Sequence, residues 1–255
     1  MLQGNAFLRP RANPTAIDME YRRLDPGEFE DLSSRILHED NHVLVFNKAV
    51  GEIVQGDKTG DECLAETLKA FIATRDSKPG KVFLGVPHRL DRPVSGIVVF
   101  AKTSKALSRL SEMFRNGDMH KTYWALCCLA PAPASGELVN LLVRNEKMNK
   151  SFVAKAGTPG AKEARLKYRT VGKTDRYTLV EVELLTGRHH QIRCQLAAAG
   201  CPIKGDLKYG APRSNPDGGI CLHSRNIKFV HPVRKDEMDI YAAPPSSWKG
   251  IGSYL

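Results

Sequence analysis

Apolar and polar positions follow two periods along the chain, and each marks an element. Val43-Leu44-Val45-Phe46 is a short apolar run that predicts a strand. Over residues 61–75, Leu64, Leu68, Phe71 and Ile72 recur at helical spacing, with Asp61 as the expected N-cap. Leu107, Leu110, Met113 and Phe114 do the same over 104–116. There Ser104 is the expected cap, and Gly117 stands where a helix ends in a left-handed residue. Between these helices, residues 94–101 are rich in β-branched side chains and follow a turn at Arg92-Pro93, which predicts a buried strand. Farther on, Val180, Val182 and Leu184 alternate with Glu181 and Glu183. Leu166 and Tyr168 alternate with Arg165, Lys167 and Arg169, which places three cations on one face. Residues 188–199 read as a helix ending at Gly200. Strands outnumber helices and do not alternate regularly with them, so the fold class expected is α+β with a largely antiparallel or mixed sheet.

Residues 1–34 hold Pro10, Pro14 and Pro26 and no sustained period, and are expected to form a loosely packed extension. Residues 35–255 then read as one domain. Hydrophobic residues make up 42% and charged residues 26% of the 255, a globular balance. Thirty-eight Lys and Arg against 28 Asp and Glu leave a net charge of +10, which points to a polyanionic partner, most simply nucleic acid. No apolar run approaches the roughly 18–20 residues that span a bilayer, and no apolar leader opens the chain. The six cysteines show no C-x-x-C spacing and read as reduced thiols. A cytoplasmic protein without membrane attachment is expected.

Two motifs are set aside. His38-Glu39-Asp40-Asn41-His42 matches H-E-x-x-H, which binds zinc only on a helix. Asp40-Asn41 favours a turn and a strand-like run follows at once, so the two histidines are not expected to converge on a metal. Gly56-Asp57-Lys58-Thr59-Gly60 lacks the spacing of a phosphate loop and reads as a turn.

Three segments carry chemistry. In His88-Arg89-Leu90-Asp91-Arg92 a carboxylate lies between two guanidinium groups at the entry to a buried strand. Such an acid is either a structural ion pair or an ionised nucleophile or base. Thr186-Gly187-Arg188-His189-His190-Gln191-Ile192-Arg193 is polar and opens the helix at 188–199. Arg193 follows Ile192 and can be turned partly inward, where it needs an anionic partner, with Asp91 the candidate. His120-Lys121-Thr122-Tyr123-Trp124 is strand-like, and its aromatics read as core or as a stacking face for a base.

The segments 36–51, 88–103, 120–126, 184–196, 200–211 and 220–232 occur in the order found in RluA-type pseudouridine synthases, and the chain resembles that family over about 36–245. The resemblance implies an α+β catalytic fold, a bent mixed sheet with a central cleft. It also implies an isomerase that converts uridine in ribosomal or transfer RNA to pseudouridine, with neither cofactor nor metal. On it, Asp91 falls on the catalytic aspartate and Tyr123 on the tyrosine that stacks on the target base. Arg193 falls on the arginine paired with the carboxylate, Ile192 on the apolar residue beside it, and Arg89 on the arginine that replaces the flipped nucleotide in the stack. Arg92, Lys121, Arg188, His190, Gln191 and Lys204 complete the expected RNA contacts. Gln195 stands where many relatives have histidine, and Asn47-Lys48-Ala49-Val50-Gly51 replaces the more usual NKPAG. Residues 1–34 are too short for the small RNA-binding domain that many relatives carry in front. A monomer without an obligatory protein partner is expected. The rival expectation is an RNA-binding protein of the same fold without activity.

Overall fold

The computed structural model describes residues 21–56, 60–78 and 80–254. Helix α1 (Pro26–Ser34) precedes strands β1 (Ile36–Glu39) and β2 (Val43–Lys48), and α2 (Leu64–Arg75) follows. Next come β3 (Ser95–Ala101), α3 (Ser104–Asn116), β4 (His120–Cys127), β5 (Ser135–Asn145), β6 (Lys150–Ala154), β7 (Lys162–Lys173) and β8 (Thr178–Leu184). The chain closes with α4 (Gln191–Ala198), β9 (Leu222–Val230) and β10 (Glu237–Tyr241). The strands form one mixed sheet in the order β1-β2-β3-β9-β4-β8-β7-β5-β6, with β10 also on β9. The expected α+β class and mixed sheet are therefore present.

One short contact joins the two parts of this sheet. Strands β3 and β9 run parallel over only Ser95↔His223 and Gly96↔Ser224, after which β10 takes over the same edge of β9. The approach there is too close for a side chain. Gly96 has φ +112°, and a β-carbon on it would lie 2.4 Å from the Ser224 carbonyl oxygen. The loop before β3 is thereby brought beside β4, which pairs with β9 on its other edge.

Strands β2 and β3 are buried on both faces, which explains their unbroken apolar runs. Leu44, Phe46, Val98 and Phe100 share a core with Leu68, Phe71 and Ile72 of α2. Val43, Val45, Ile97 and Val99 face a second core with Ala106 and Leu110 of α3. Each fully buried side chain of this size contributes about 1.5–3 kcal/mol. In β7, Ala164, Leu166 and Tyr168 are buried and Arg165, Lys167 and Arg169 exposed, the alternation expected.

The expected loose extension is corrected over 26–34, and residues 1–20 lie outside the described residues. Asp25 caps α1 through the Glu28 amide at 2.8 Å, and Pro26 opens the helix. Leu32 is buried and Phe29 packs on Phe71 with ring centroids 4.7 Å apart. Docking on α2, rather than any strong period of its own, holds the segment. The cap at Asp61 is also corrected. Helix α2 begins at Leu64 behind Cys63, because the Asp61 carboxylate pairs with Arg92 at 2.7 Å. In α3 the cap is Thr103, whose hydroxyl accepts from the Ala106 amide at 3.2 Å, and Gly117 is left-handed as expected. Residues 40–42 form the turn of the β1–β2 hairpin, with His38 and Glu39 still in β1. The expected turn at 56–60 falls mostly on residues 57–59, outside the described residues. Among the described residues no helix is long and apolar enough to cross a membrane.

Candidate active site

A cleft of about 300 Å³ opens where the loop before β3 meets β4 and the start of α4. Arg89, Asp91, Lys121, Tyr123, Ile192 and Arg193 are among the residues that line it. Asp91 is held from below by the end of β2. The buried Lys48 ammonium donates to the carbonyls of Ala49 at 2.8 Å, Arg92 at 3.2 Å and Val94 at 2.6 Å. These oxygens replace its hydration shell. Burial pushes Lys48 down to about 8. The Val94 amide closes the turn on the Asp91 carbonyl at 3.0 Å.

Arg193 reaches into the cleft from α4 and is 5% exposed. Its Nε and Nη2 grip both oxygens of the buried Asp206 at 2.7 and 2.9 Å. Its Nη1 is left to donate to Asp91 Oδ2 at 3.1 Å. Burial acts to lower the guanidinium pKa, but the Asp206 and Asp91 carboxylates outweigh it and hold it above the usual value. The arrangement keeps a permanent cation on one oxygen of Asp91. Among the described residues no hydrogen bond reaches the other oxygen, and the side chain keeps 30% of its surface exposed.

Tyr123 lies on β4, buried, in the same cleft. Burial pushes its phenol up to about 12, against a hydrogen bond with Ser224 that acts the other way. At neutral pH it is therefore a protonated, uncharged ring. Lys121 sits two residues earlier with its Nζ 5.6 Å from the Phe114 ring centroid, and burial lowers its pKa. The cleft thus combines a half-free carboxylate, a fixed cation, an aromatic face and apolar walls, a set suited to hold a planar base beside a sugar.

Residues 42–198 match the family model described as RNA pseudouridylate synthase. The chain is 32% identical over 259 residues to the ribosomal large subunit pseudouridine synthase C of Vibrio parahaemolyticus, covering 94% of this chain and 76% of that protein. It is 33% identical over 233 residues to the ribosomal large subunit pseudouridine synthase D of Xylella fastidiosa, covering 85% of this chain and 67% of the relative. The solved structure of human RNA pseudouridylate synthase domain containing 4 superposes with a TM-score of 0.72 at 25% identity, over 86% of this chain and 92% of that one. The chain belongs to the RNA pseudouridylate synthase family. It is thus an enzyme of the isomerase class, and its fold is the pseudouridine synthase fold.

In this cleft the structure brings together Asp91, Tyr123, Ile192 and Arg193, drawn from three distant stretches of chain. Arg89, Lys121 and Arg188 line the same cleft, with Arg89 and Arg188 exposed. The other four expected RNA contacts are engaged within the protein, and two of them, His190 and Gln191, also line the cleft. The Arg92 guanidinium turns to Asp61 and does not line the cleft. Lys204 sits beside Leu126, toward the opposite end of β4 from Lys121, with its Nζ 4.9 Å from the Tyr177 ring centroid. Gln191 is buried; its oxygen accepts from Thr186 Oγ1 and the Arg188 amide, and its nitrogen donates to the Arg165 carbonyl. It clamps the 186–191 turn. His190 is buried as well, with its ring nitrogens 3.0 Å from the Tyr209 hydroxyl and 3.4 Å from Asp91 Oδ2.

Sequence reasoning assigned no role to Asp206 or Tyr209, although both stand in the segment 200–211. One signal was available. A buried guanidinium carries five donors, and a single carboxylate cannot satisfy them all. An inward Arg193 therefore required a second acceptor besides Asp91.

Proposed function

We propose that this chain converts uridine in structured RNA to pseudouridine with Asp91 as the catalytic carboxylate. The observation that carries this reading is the 3.1 Å contact from Arg193 Nη1 to Asp91 Oδ2 on the wall of a cleft that also presents Tyr123. The reaction breaks the N1–C1′ bond, turns the uracil and joins C5 to C1′. The C5 proton is lost and N1 gains one, so no group enters from outside. Asp91 either attacks C1′ or removes the 2′ proton, and in both routes it acts as a carboxylate, with the Arg193 guanidinium 3.1 Å from Oδ2. Tyr123 offers a flat, uncharged face on which the detached base is retained. A target nucleotide inside a duplex has to leave its stack to enter, at a few kcal/mol. The net charge of +10, with Arg89, Lys121 and Arg188 at the cleft, supplies the phosphate affinity that offsets this.

Names of the relatives make large-subunit ribosomal RNA the first substrate to offer. Unmodified transcripts and total RNA are incubated with the protein, and pseudouridine is mapped by chemical labelling. A new modified position is expected. Binding without any new position would instead favour an RNA-binding protein that has lost turnover. Affinity should fall steeply with salt, and a flat salt profile would contradict a phosphate-dominated interface.

A further inference from the structure

His190 stands at the junction between β8 and α4 with φ 52° and ψ 26°. That left-handed conformation is disfavoured for any residue with a β-carbon, and glycine would adopt it freely. A side chain nevertheless occupies the position, and its ring is buried against the cleft. Strained side chains held in this way cluster where their orientation matters.

The partners of the ring decide its tautomer. Nε2 lies 3.4 Å from Asp91 Oδ2. A bare lone pair there would face a carboxylate oxygen and be repelled, so Nε2 carries the proton and Nδ1 accepts. The hydroxyl of Tyr209 lies 3.0 Å from Nδ1, closer than the 3.3 Å to the Ser151 carbonyl, so it donates to the ring. The Tyr209 oxygen in turn accepts from the Ser151 amide at 2.8 Å. A directed series thus runs from the backbone of β6 through Tyr209 to the His190 ring, whose Nε2 stands 3.4 Å from Asp91 Oδ2, a polar approach longer than the Arg193 contact. The imidazole also stays uncharged: burial, followed by Arg193, His189, Lys208 and Arg144 around it, pushes it down to about 2. It turns an N–H dipole toward the carboxylate without adding a second cation.

Arg193 touches Asp91 at one atom, and a single contact leaves the carboxylate plane free to rotate. The His190 Nε2–H dipole, 3.4 Å from the same oxygen, biases that freedom from a second direction. We propose that His190, with its Nε2–H tautomer set by Tyr209, is a positioning residue that fixes the Asp91 carboxylate plane so that the free oxygen faces the ribose. The proposal rests on the reading of Asp91 as the catalytic carboxylate.

The test compares Tyr209→Phe, His190→Gln, the double variant and Asp91→Ala on a transcript that the wild-type protein modifies. kcat, KM and the pH profile of kcat are measured, with folding checked by thermal melting. Tyr209→Phe should lower kcat about 10-fold with KM within about 2-fold, since the loss concerns orientation rather than binding. The acidic limb of its profile should move up by about half a pH unit, because a donor to the charged carboxylate is weakened. The amide of His190→Gln can aim an N–H at Asp91 without help from Tyr209. Adding Tyr209→Phe to it should therefore cost no further activity. Wild-type kcat and an unmoved limb in Tyr209→Phe would overturn the proposal. So would a fall in kcat with the limb unmoved, which marks a merely structural role. Where His190→Gln does not fold, the limb in Tyr209→Phe decides alone. Turnover by Asp91→Ala would overturn the underlying reading of the site, whereas an inactive Asp91→Ala beside an unaffected Tyr209→Phe would overturn this inference only.

Discussion

Asp40 and Asp91 stand in similar local sequence, each an acid among basic residues within five positions, His38 to His42 and His88 to Arg92. The structure gives both a histidine and an arginine from elsewhere in the chain. Yet Asp40 is fully occupied. Its Oδ1 accepts from the His42 and Val43 amides at 2.7 and 2.9 Å. Its Oδ2 lies 3.2 Å from His38 Nε2 and 3.0 Å from His231 Nε2, and is also paired with Arg234. Burial acts to raise its pKa, but the two amides and the histidines hold the carboxyl well below the usual range. Among the described residues Asp91 has partners on Oδ2 alone, and it faces the cleft. The difference teaches that charge neighbours do not make a carboxylate functional. What matters is an acceptor left free beside a space that a substrate can enter.

Substitutions can break this comparison in order of expected effect. Asp91→Ala should reduce pseudouridine formation on the order of 1,000-fold or more while filter binding still detects RNA. Residual turnover near wild type would place the chemistry elsewhere. Arg193→Lys should lose about 100-fold, because an ammonium cannot hold Asp206 with two bonds and reach Asp91 as well. Near-normal kcat would show that the fork geometry is dispensable. Asp206→Asn should cost about 10-fold in kcat and, through a broken buried pair, about 3–5 kcal/mol in urea unfolding. Equal stability of variant and parent would contradict the clamp seen at 2.7 and 2.9 Å.

Asp40→Asn should be the mildest. Activity should stay within about 2-fold, and stability should fall by about 1–2 kcal/mol at pH 7. The folded pKa of Asp40 lies below its unfolded value. Its stabilisation is therefore complete above about pH 4 and is lost as the pH falls through the folded value. Melting curves of parent and variant should accordingly converge in strong acid. A gap that widens on acidification would reverse the sign of this argument.

Strands β2, β3, β7 and β8, helix α3 and the pairing of Asp91 with Arg193 were legible in the sequence. Helix α1 was not, since Phe29 and Leu32 are too few to form a stripe and gain their meaning only against Phe71. Helix α4 starts at Gln191 rather than 188 because His190 is left-handed, a conformation that remains uncommon for any residue other than glycine. Arg92 and Lys204 sit in matching segments, yet Arg92 turns to Asp61 and Lys204 lies at the far end of β4, over Tyr177, away from the cleft. Asp206 and Tyr209 follow Arg193 in a loop with no period to mark them. Sequence alone determined the elements, the net charge and the family, because period, propensity and motif order are properties of neighbours along the chain. Tertiary structure decided which polar groups are spent on one another and which remain free, because a hydrogen bond consumes a partner wherever in the chain that partner lies.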